Sequence, residues 1–79
     1  MKPPRVTLYT SRQCNACRQA RAYLEQIGIP FQELDVRTSQ RAQKSLARLG
    51  TRSLPVILVG DRAVQGFDRK RLDTLLKQA

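Results

Sequence analysis

One stretch of the sequence is apolar at every position, so a strand formed by it would have no polar face: Leu54-Pro55-Val56-Ile57-Leu58-Val59. A strand of this kind is typical of the centre of a sheet that helices cover on both sides. The chain has only 79 residues, enough for one hydrophobic core and therefore for one domain, residues 1–79. We therefore expect a small α/β domain with helices on both faces of one sheet.

The rest of the sequence predicts three helices and three further strands around this central strand. Strands are indicated by alternation with a period of two, helices by apolar residues at helical spacing, and helix ends by capping residues and glycines. In chain order, we predict first a strand at Val6–Thr10, a helix from Cys14 or Asn15 to about Ile27, and an edge strand at Phe31–Val36. A second helix follows, capped by Thr38 or Ser39 and ended by Gly50, and then the central strand. After a Gly60-Asp61 turn come a strand at Arg62–Gln65 and a last helix capped by Asp68. The order β-α-β-α-β-β-α predicts a mixed four-stranded sheet, because a strand–helix–strand unit gives a parallel pair and a hairpin an antiparallel pair.

The formal net charge of +9 raises the question of nucleic-acid binding. Basic residues occur in almost every segment, however, and the four aromatic residues fit core contacts better than a base-stacking platform. Nucleic acid is therefore not an expected partner. Two basic stripes, Arg41-Lys44-Arg48 and Arg18-Arg21, indicate solvated helix surface, with docking to an acidic partner as the alternative.

The N-terminal residues do not resemble a secretory signal, and no apolar run approaches the length needed to cross a bilayer. We therefore expect a cytoplasmic, monomeric protein that does not contact a membrane. In the cytoplasm ordinary thiols are kept reduced. A closely spaced cysteine pair there indicates catalysis or metal binding rather than a permanent cross-link.

The candidate chemistry lies in the segment Cys14-Asn15-Ala16-Cys17, at the predicted start of the first helix. A cysteine at a helix N-terminus faces unpaired backbone N–H groups and the positive end of the helix dipole, which stabilise a thiolate. The second cysteine lies one turn further along and can attack a mixed disulfide formed by the first. This spacing predicts that Cys14 is the attacking residue and Cys17 the resolving residue.

Two other interpretations of the cysteines remain open. They could be small buried residues at the start of an ordinary helix, although Asn15, Arg18 and Gln19 make that segment polar. They could also bind metal. Structural zinc usually needs four ligands, and one cysteine pair without histidine supplies only two, so a zinc ion or an iron–sulfur cluster would have to bridge a dimer.

Several segments together resemble the glutaredoxin-like proteins of the thioredoxin superfamily: Val6–Thr10, the Cys14–Cys17 motif, Ser53-Leu54-Pro55-Val56 and Gly66-Phe67-Asp68. The resemblance implies a thioredoxin-like fold in which Pro55 has a cis peptide bond and lies beside the active cysteine. It also implies that the backbone of Leu54 pairs with a bound peptide or glutathione, and that Gly66, Phe67 and Asp68 flank the same groove. Arg12, next to the position where such proteins often carry a lysine, is a further candidate for substrate binding.

The differences from familiar glutaredoxins bear on the substrate. Asn15-Ala16 stands where a Pro-Tyr pair is common, and Gln65-Gly66-Phe67-Asp68 has one glycine instead of two. The second feature is more similar to the redoxins that donate electrons to ribonucleotide reductase. The resemblance thus implies a thiol–disulfide oxidoreductase without a resident cofactor that reduces a protein disulfide, such as that of ribonucleotide reductase. Its own electrons would come from a thioredoxin-reductase-type flavoprotein or, alternatively, from glutathione as a co-substrate.

Overall fold

The computed structural model describes residues 5–50 and 54–78. The predicted lead-in Lys2-Pro3-Pro4 and the predicted loop Thr51-Arg52-Ser53 lie outside these residues. The elements in chain order are β1 (Val6–Thr10), α1 (Asn15–Gln26), β2 (Gln32–Asp35), α2 (Gln40–Leu49), β3 (Val56–Val59), β4 (Arg62–Gln65) and α3 (Arg69–Gln78). This is the predicted order β-α-β-α-β-β-α.

The four strands form one mixed sheet with the strand order β2-β1-β3-β4. β1 and β2 are parallel, as expected when a helix connects two strands, whereas β1–β3 and β3–β4 are antiparallel pairs. β2 lies at an edge and β3 lies inside the sheet, and both placements were predicted. The apolar character of β3 follows from this position, because its two faces are covered.

Helices cover both faces of the sheet, as the apolar central strand predicted. On one face, α1 and α3 bury Leu24 and Leu72 against Leu8, Ile57 and Val64 of the strands. On the other face, the residues packed together are Tyr9, Ala42, Leu46 and Val56, of which Ala42 and Leu46 belong to α2. The fold is therefore α/β and thioredoxin-like. None of its helices, within the ranges that the structure describes, is long and apolar enough to cross a membrane.

The helix ends follow the local sequence closely. Ser39, one of two predicted caps of α2, accepts the backbone N–H of Ala42 at 3.1 Å, and Gly50 ends that helix with a positive φ of 72°. Asp68 caps α3 by accepting the backbone N–H of Arg71 at 3.2 Å. The first helix ends where it was predicted to end: Ile27 is the C-cap residue of α1 and is 40% exposed.

Two strands are shorter than predicted. β2 spans Gln32–Asp35 instead of Phe31–Val36, and β3 begins at Val56 instead of Leu54. Phe31, Val36 and Leu54 are apolar and pack against the core outside these strands, although the N–H of Val36 still donates to the carbonyl oxygen of Thr10 at 2.9 Å. These apolar residues therefore contact the core, but the prediction was wrong to include them in the strands.

Candidate active site

One end of the sheet brings together residues from all four strands or their immediate neighbours. At this end, Thr10 of β1 is paired with Asp35 of β2. Continuing the β1–β3 register by one residue places Pro55 on the other side of Thr10. The carbonyl oxygen of Pro55 in turn accepts the backbone N–H of Gly66 at 2.7 Å. Because Cys14 follows β1 after a short polar turn, the cysteine motif lies at this same end of the sheet.

Cys14 is the N-cap of α1 and not its first helical residue. Its backbone is extended, with φ −127° and ψ 105°, and its Sγ accepts the backbone N–H of Cys17 at 3.1 Å. A cap sulfur therefore takes the place of the Ser, Thr or Asp oxygen that usually satisfies this N–H. The sulfur of Cys14 is thereby held at the positive end of the helix dipole, and α1 has no acidic residue in its first turn to offset that field.

The two cysteines are joined by a disulfide bond, with a Cα–Cα distance of 5.1 Å. This distance is within the range of about 4.4–6.8 Å that disulfides span, so the bond needs no rearrangement of the helix. Cys14 is half-buried, whereas Cys17 is only 1% exposed. Cys14 is therefore the more accessible of the two cysteines.

A polar groove of about 520 Å³ opens beside the cysteine pair. Its walls carry both cysteines, the predicted binding residue Arg12, and six residues from β1, the turn after it, α1 and β2: Thr10, Ser11, Arg18, Arg21, Glu33 and Asp35. Of these six, the sequence singled out only Arg18 and Arg21, as a basic stripe on the helix surface. The six residues are up to 25 positions apart in the chain, since Thr10 lies opposite Asp35. The parallel pairing of β1 with β2, which was predicted, brings them together, but no local motif indicates its register.

Within this groove, Glu33 connects β1 to α1. One of its carboxylate oxygens, Oε2, accepts a hydrogen bond from the hydroxyl of Thr10 at 3.1 Å and another from Nη2 of Arg21 at 2.9 Å. The Arg21–Glu33 ion pair is partly exposed, so its contribution to stability is small. Its main consequence is local: it fixes where one positive and one negative charge lie on the groove wall.

The second group of predicted site residues lies along β3 and β4. The Leu54–Pro55 peptide bond is cis, Pro55 is buried, and Leu54 is half-buried. Gly66 has a φ of +77°, which favours glycine, and its N–H bonds to Pro55. These three residues lie at the same end of the sheet as Cys14 but are not part of the groove lined by Arg12 and the cysteines.

Phe67 and Asp68 directly precede α3, and Phe67 contacts α1. The ring of Phe67 packs against the ring of Tyr23 at a centroid distance of 5.8 Å, and Asp68 caps α3. The Tyr23 hydroxyl donates a hydrogen bond to Asp73 of α3. This bond, together with burial, raises the pKa of Tyr23 above its ordinary value. Neither Phe67 nor Asp68 lines the groove beside the cysteines.

A metal site finds no support among the described residues. No group of three or more His, Cys, Asp or Glu side chains within residues 5–50 and 54–78 is arranged to hold an ion.

The sequence profile of the glutaredoxin family matches residues 6–64, about three quarters of the chain. The chain belongs to the glutaredoxin family. This confirms the resemblance inferred from the cysteine motif and the segments around Pro55 and Gly66. The family match also identifies the chain as a redox protein of the glutaredoxin type, with Cys14 and Cys17 as its close cysteine pair.

Among curated proteins, the chain is similar to the glutaredoxin-like protein NrdH of Escherichia coli strain K12. The two are 33% identical over 63 residues, which cover 80% of this chain and 78% of the relative. The solved structure of the Escherichia coli NrdH-redoxin, described as having a thioredoxin-like activity profile, superposes with a TM-score of 0.81. It is 31% identical, and the match covers 90% of this chain and 93% of that protein.

The fold is shared more widely than the sequence. A mutant form of the thioredoxin-like protein BC3987 superposes with a TM-score of 0.87 at 23% identity, covering 92% of this chain and 95% of the other. At that level of identity the likeness concerns the fold alone. The predicted thioredoxin-like architecture is thus confirmed both by the strand order and by independent structures.

Proposed function

We propose that this glutaredoxin-family protein reduces protein disulfides through a reversible disulfide between Cys14 and Cys17. The observation that carries the proposal is the unequal exposure of two sulfurs that are close enough to bond. Cys14 is accessible at a helix N-terminus, and Cys17 is buried directly behind it. That arrangement suits an attacking residue and a resolving residue.

The reaction begins with the reduced pair. The Cys14 thiolate attacks one sulfur of the substrate disulfide, forming a mixed disulfide, and the other substrate sulfur leaves as a thiolate and takes a proton. Cys17 loses its proton and attacks the Cys14 sulfur, so that the Cys14–Cys17 disulfide forms and the second substrate thiol is released. Two electrons pass from the protein to the substrate.

The substrate would lie along the end of the sheet that carries the cysteines. An extended peptide can pair with free backbone groups at such a position like an added strand. Leu54, which precedes the ladder of β3, is the proposed backbone partner, with Pro55, Gly66, Phe67 and Asp68 as the proposed flank. This role is supported for Leu54, Pro55 and Gly66 by their place at the cysteine end of the sheet. Arg12 is the proposed contact on the opposite, groove side.

We further propose a thioredoxin-reductase-type flavoprotein as the electron source. Support comes from the similarity to an NrdH-redoxin that is described as having a thioredoxin-like activity profile. The Asn15-Ala16 pair and the single glycine at Gly66 also depart from the familiar glutaredoxin motifs. The proposed target is the disulfide of a cytoplasmic protein such as ribonucleotide reductase, reduced by the monomer without a resident cofactor. Glutathione is the alternative reductant.

The test is NADPH consumption by the purified protein with a disulfide substrate such as insulin. One reaction contains thioredoxin reductase, and a parallel reaction contains glutathione with glutathione reductase. The proposal predicts turnover with the flavoprotein and little with glutathione. Turnover through glutathione alone would reverse the assignment of the electron source. Absence of turnover in both would contradict the proposed activity and favour the bridged metal or cluster, to be tested by metal analysis and chain stoichiometry.

A further inference from the structure

The groove beside the cysteines has an uneven charge distribution. Its walls carry three arginines and two carboxylates: Arg12, Arg18, Arg21, Glu33 and Asp35. The arginines come from the turn before α1 and from α1 itself, whereas both carboxylates belong to β2. One wall of the groove is therefore basic and the other acidic.

The carboxylates are already engaged within the protein. Glu33 accepts hydrogen bonds from Arg21 at 2.9 Å and from the hydroxyl of Thr10 at 3.1 Å. Asp35 accepts the backbone N–H of Arg37 at 2.8 Å, in the turn that follows β2. Arg12 and Arg18, by contrast, form no ion pair within residues 5–50 and 54–78. Two exposed guanidinium groups beside the cysteines thus have no ion-pair partner among the described residues, and Asp35 is the one carboxylate of the groove that is not in an ion pair.

The position of α1 reinforces this positive field. Its N-terminus carries the positive end of the helix dipole, and no acidic residue lies in its first turn. Cys14, the accessible cysteine, is at that N-terminus. A negatively charged group next to the bond under attack would therefore be stabilised both by the arginines and by the helix end.

The chemistry of the groove favours an acidic peptide over a nucleic acid. No aromatic side chain among the described residues lines the groove, so bases would have no surface on which to stack. A guanidinium group matches a carboxylate with two parallel hydrogen bonds. The volume of about 520 Å³ is that of a site for a short segment of substrate rather than for a single ion.

We propose that Arg12 and Arg18 form a specificity site for disulfide substrates that carry an Asp or Glu next to the reactive cysteine. The inference rests on the proposed disulfide reductase function and adds the class of substrate. Arg21 contributes less, because Glu33 neutralises it. The site acts on substrate binding and orientation, so it affects KM and leaves kcat largely unchanged.

The experiment compares two disulfide peptides that differ only beside the cysteine, where one has Glu and the other Gln. Steady-state reduction is measured with the thioredoxin reductase system at about 20 mM and about 300 mM NaCl. We expect the KM for the Glu peptide to be about two- to fivefold lower at low salt, the range typical of exposed charge pairs. We expect the difference to shrink at high salt, because screening weakens exposed pairs.

Three single variants locate the effect. Arg18→Gln removes a free cation and is expected to abolish most of the preference for the Glu peptide. Glu33→Gln removes the countercharge of Arg21 and is expected to strengthen the preference. Arg62→Gln is the matched control: it changes the net charge equally, but Arg62 is exposed in β4, opposite Val59 at the other end of the sheet. The control should behave as the wild type.

A readout independent of turnover uses the Cys14→Ser/Cys17→Ser double variant, with and without Arg18→Gln. Fluorescence anisotropy measures the binding of labelled Glu and Gln peptides to each form, and the Glu preference is expected only with Arg18 present. Equal KM values for the two peptides in an active enzyme would overturn this inference alone. An equal effect of Arg18→Gln and Arg62→Gln would overturn it too, since net charge would then suffice. Absence of turnover with both peptides would instead contradict the proposed function.

Discussion

At the scale of single residues, the two cysteines show how position gives the same side chain different chemistry. Cys14 is a helix cap with its sulfur on a backbone N–H, whereas Cys17 is one turn inside the helix and is 1% exposed. In the reduced protein, a thiolate at this cap would lie where the helix dipole favours negative charge. The second sulfur belongs to a buried residue, and the proposed mechanism uses it only after the first has formed a mixed disulfide.

This difference predicts opposite outcomes for two serine variants. Cys14→Ser should reduce turnover to background, because no accessible sulfur remains to attack the substrate. Cys17→Ser should still attack but cannot resolve, so it should accumulate a mixed disulfide with the protein substrate. Non-reducing electrophoresis and intact-mass measurement of the adduct check both results. Full activity of Cys14→Ser, or trapping by Cys14→Ser instead of Cys17→Ser, would contradict the assigned roles.

Tyr23 allows a second test at this scale. The variant Tyr23→Phe loses the hydrogen bond to Asp73 but keeps the ring contacts with Phe67 and Arg69. At neutral pH we expect it to lower the free energy of unfolding by about 1 kcal/mol, the usual net value of a hydrogen bond. The measurement is urea denaturation followed by circular dichroism.

The raised pKa of Tyr23 sets the pH dependence of that loss. Folding raises the pKa above the ordinary 10.0, so the native state holds the phenol proton more tightly than the unfolded state. The stabilisation is complete below pH 10.0 and is lost as the pH rises through the folded pKa. The difference between wild type and Tyr23→Phe should therefore be constant from neutral pH to about pH 9 and then shrink. A difference that persists unchanged at about pH 12 would contradict the role of the hydroxyl.

At the scale of elements, capping residues fix where the helices begin and end. Ser39 satisfies the N–H of Ala42 at the start of α2, where no acidic residue lies in the first turn to help. We predict that Ser39→Ala lowers the free energy of unfolding by about 1 kcal/mol. Ser45→Ala, inside the same helix, is the control and should be neutral or slightly stabilising, because alanine is the better helix former. Equal losses in the two variants, measured by chemical denaturation, would exclude the cap as the cause.

The elements themselves were largely predictable from sequence, and the reasons are local. Gly50 and Asp68 are the residue types that helix ends require, and the apolar run before Gly60 matches a strand covered on both faces. Ile27, the predicted end of α1, is its C-cap residue, and it is exposed although it continues the helical spacing of the apolar residues. Helical spacing therefore indicates a buried position only within the helix.

The candidate site was predictable only in part, again for a physical reason. Cys14 and Cys17 belong to one short motif, so their pairing could be inferred from spacing. The groove wall depends on which strands are neighbours, because Glu33 reaches Thr10 across the β1–β2 pair. The antiparallel pairing of β1 with β3, which brings Pro55 beside Thr10, likewise joins segments far apart in the chain. The strand–helix–strand order predicts that β1 and β2 form a parallel pair, but no local signal gives the register of that pair or the pairing of β1 with β3.

At the scale of the whole molecule, the dominant feature is an excess of positive charge. The chain has 15 Lys and Arg residues but only 6 Asp and Glu residues. Among the residues that the structure describes, one ion pair forms, between Arg21 and Glu33. Most of the cations are therefore exposed without a close partner, and mutual repulsion among them opposes the compact state.

This imbalance predicts that salt stabilises the protein. Raising NaCl from about 10 mM to about 150 mM shortens the Debye length from about 30 Å to about 8 Å, which is smaller than the 32 Å long axis of the molecule. Screening then weakens repulsion across the whole surface, while the only attraction it removes from the described residues is one partly exposed pair. We expect the melting temperature, measured by differential scanning fluorimetry, to rise with NaCl and to change little with an uncharged osmolyte at equal osmolality. A variant with Lys44→Gln and Lys70→Gln, both exposed on helices away from the groove, should show a smaller rise. A melting temperature that falls with NaCl would mean instead that attractive pairs dominate the electrostatics of the fold.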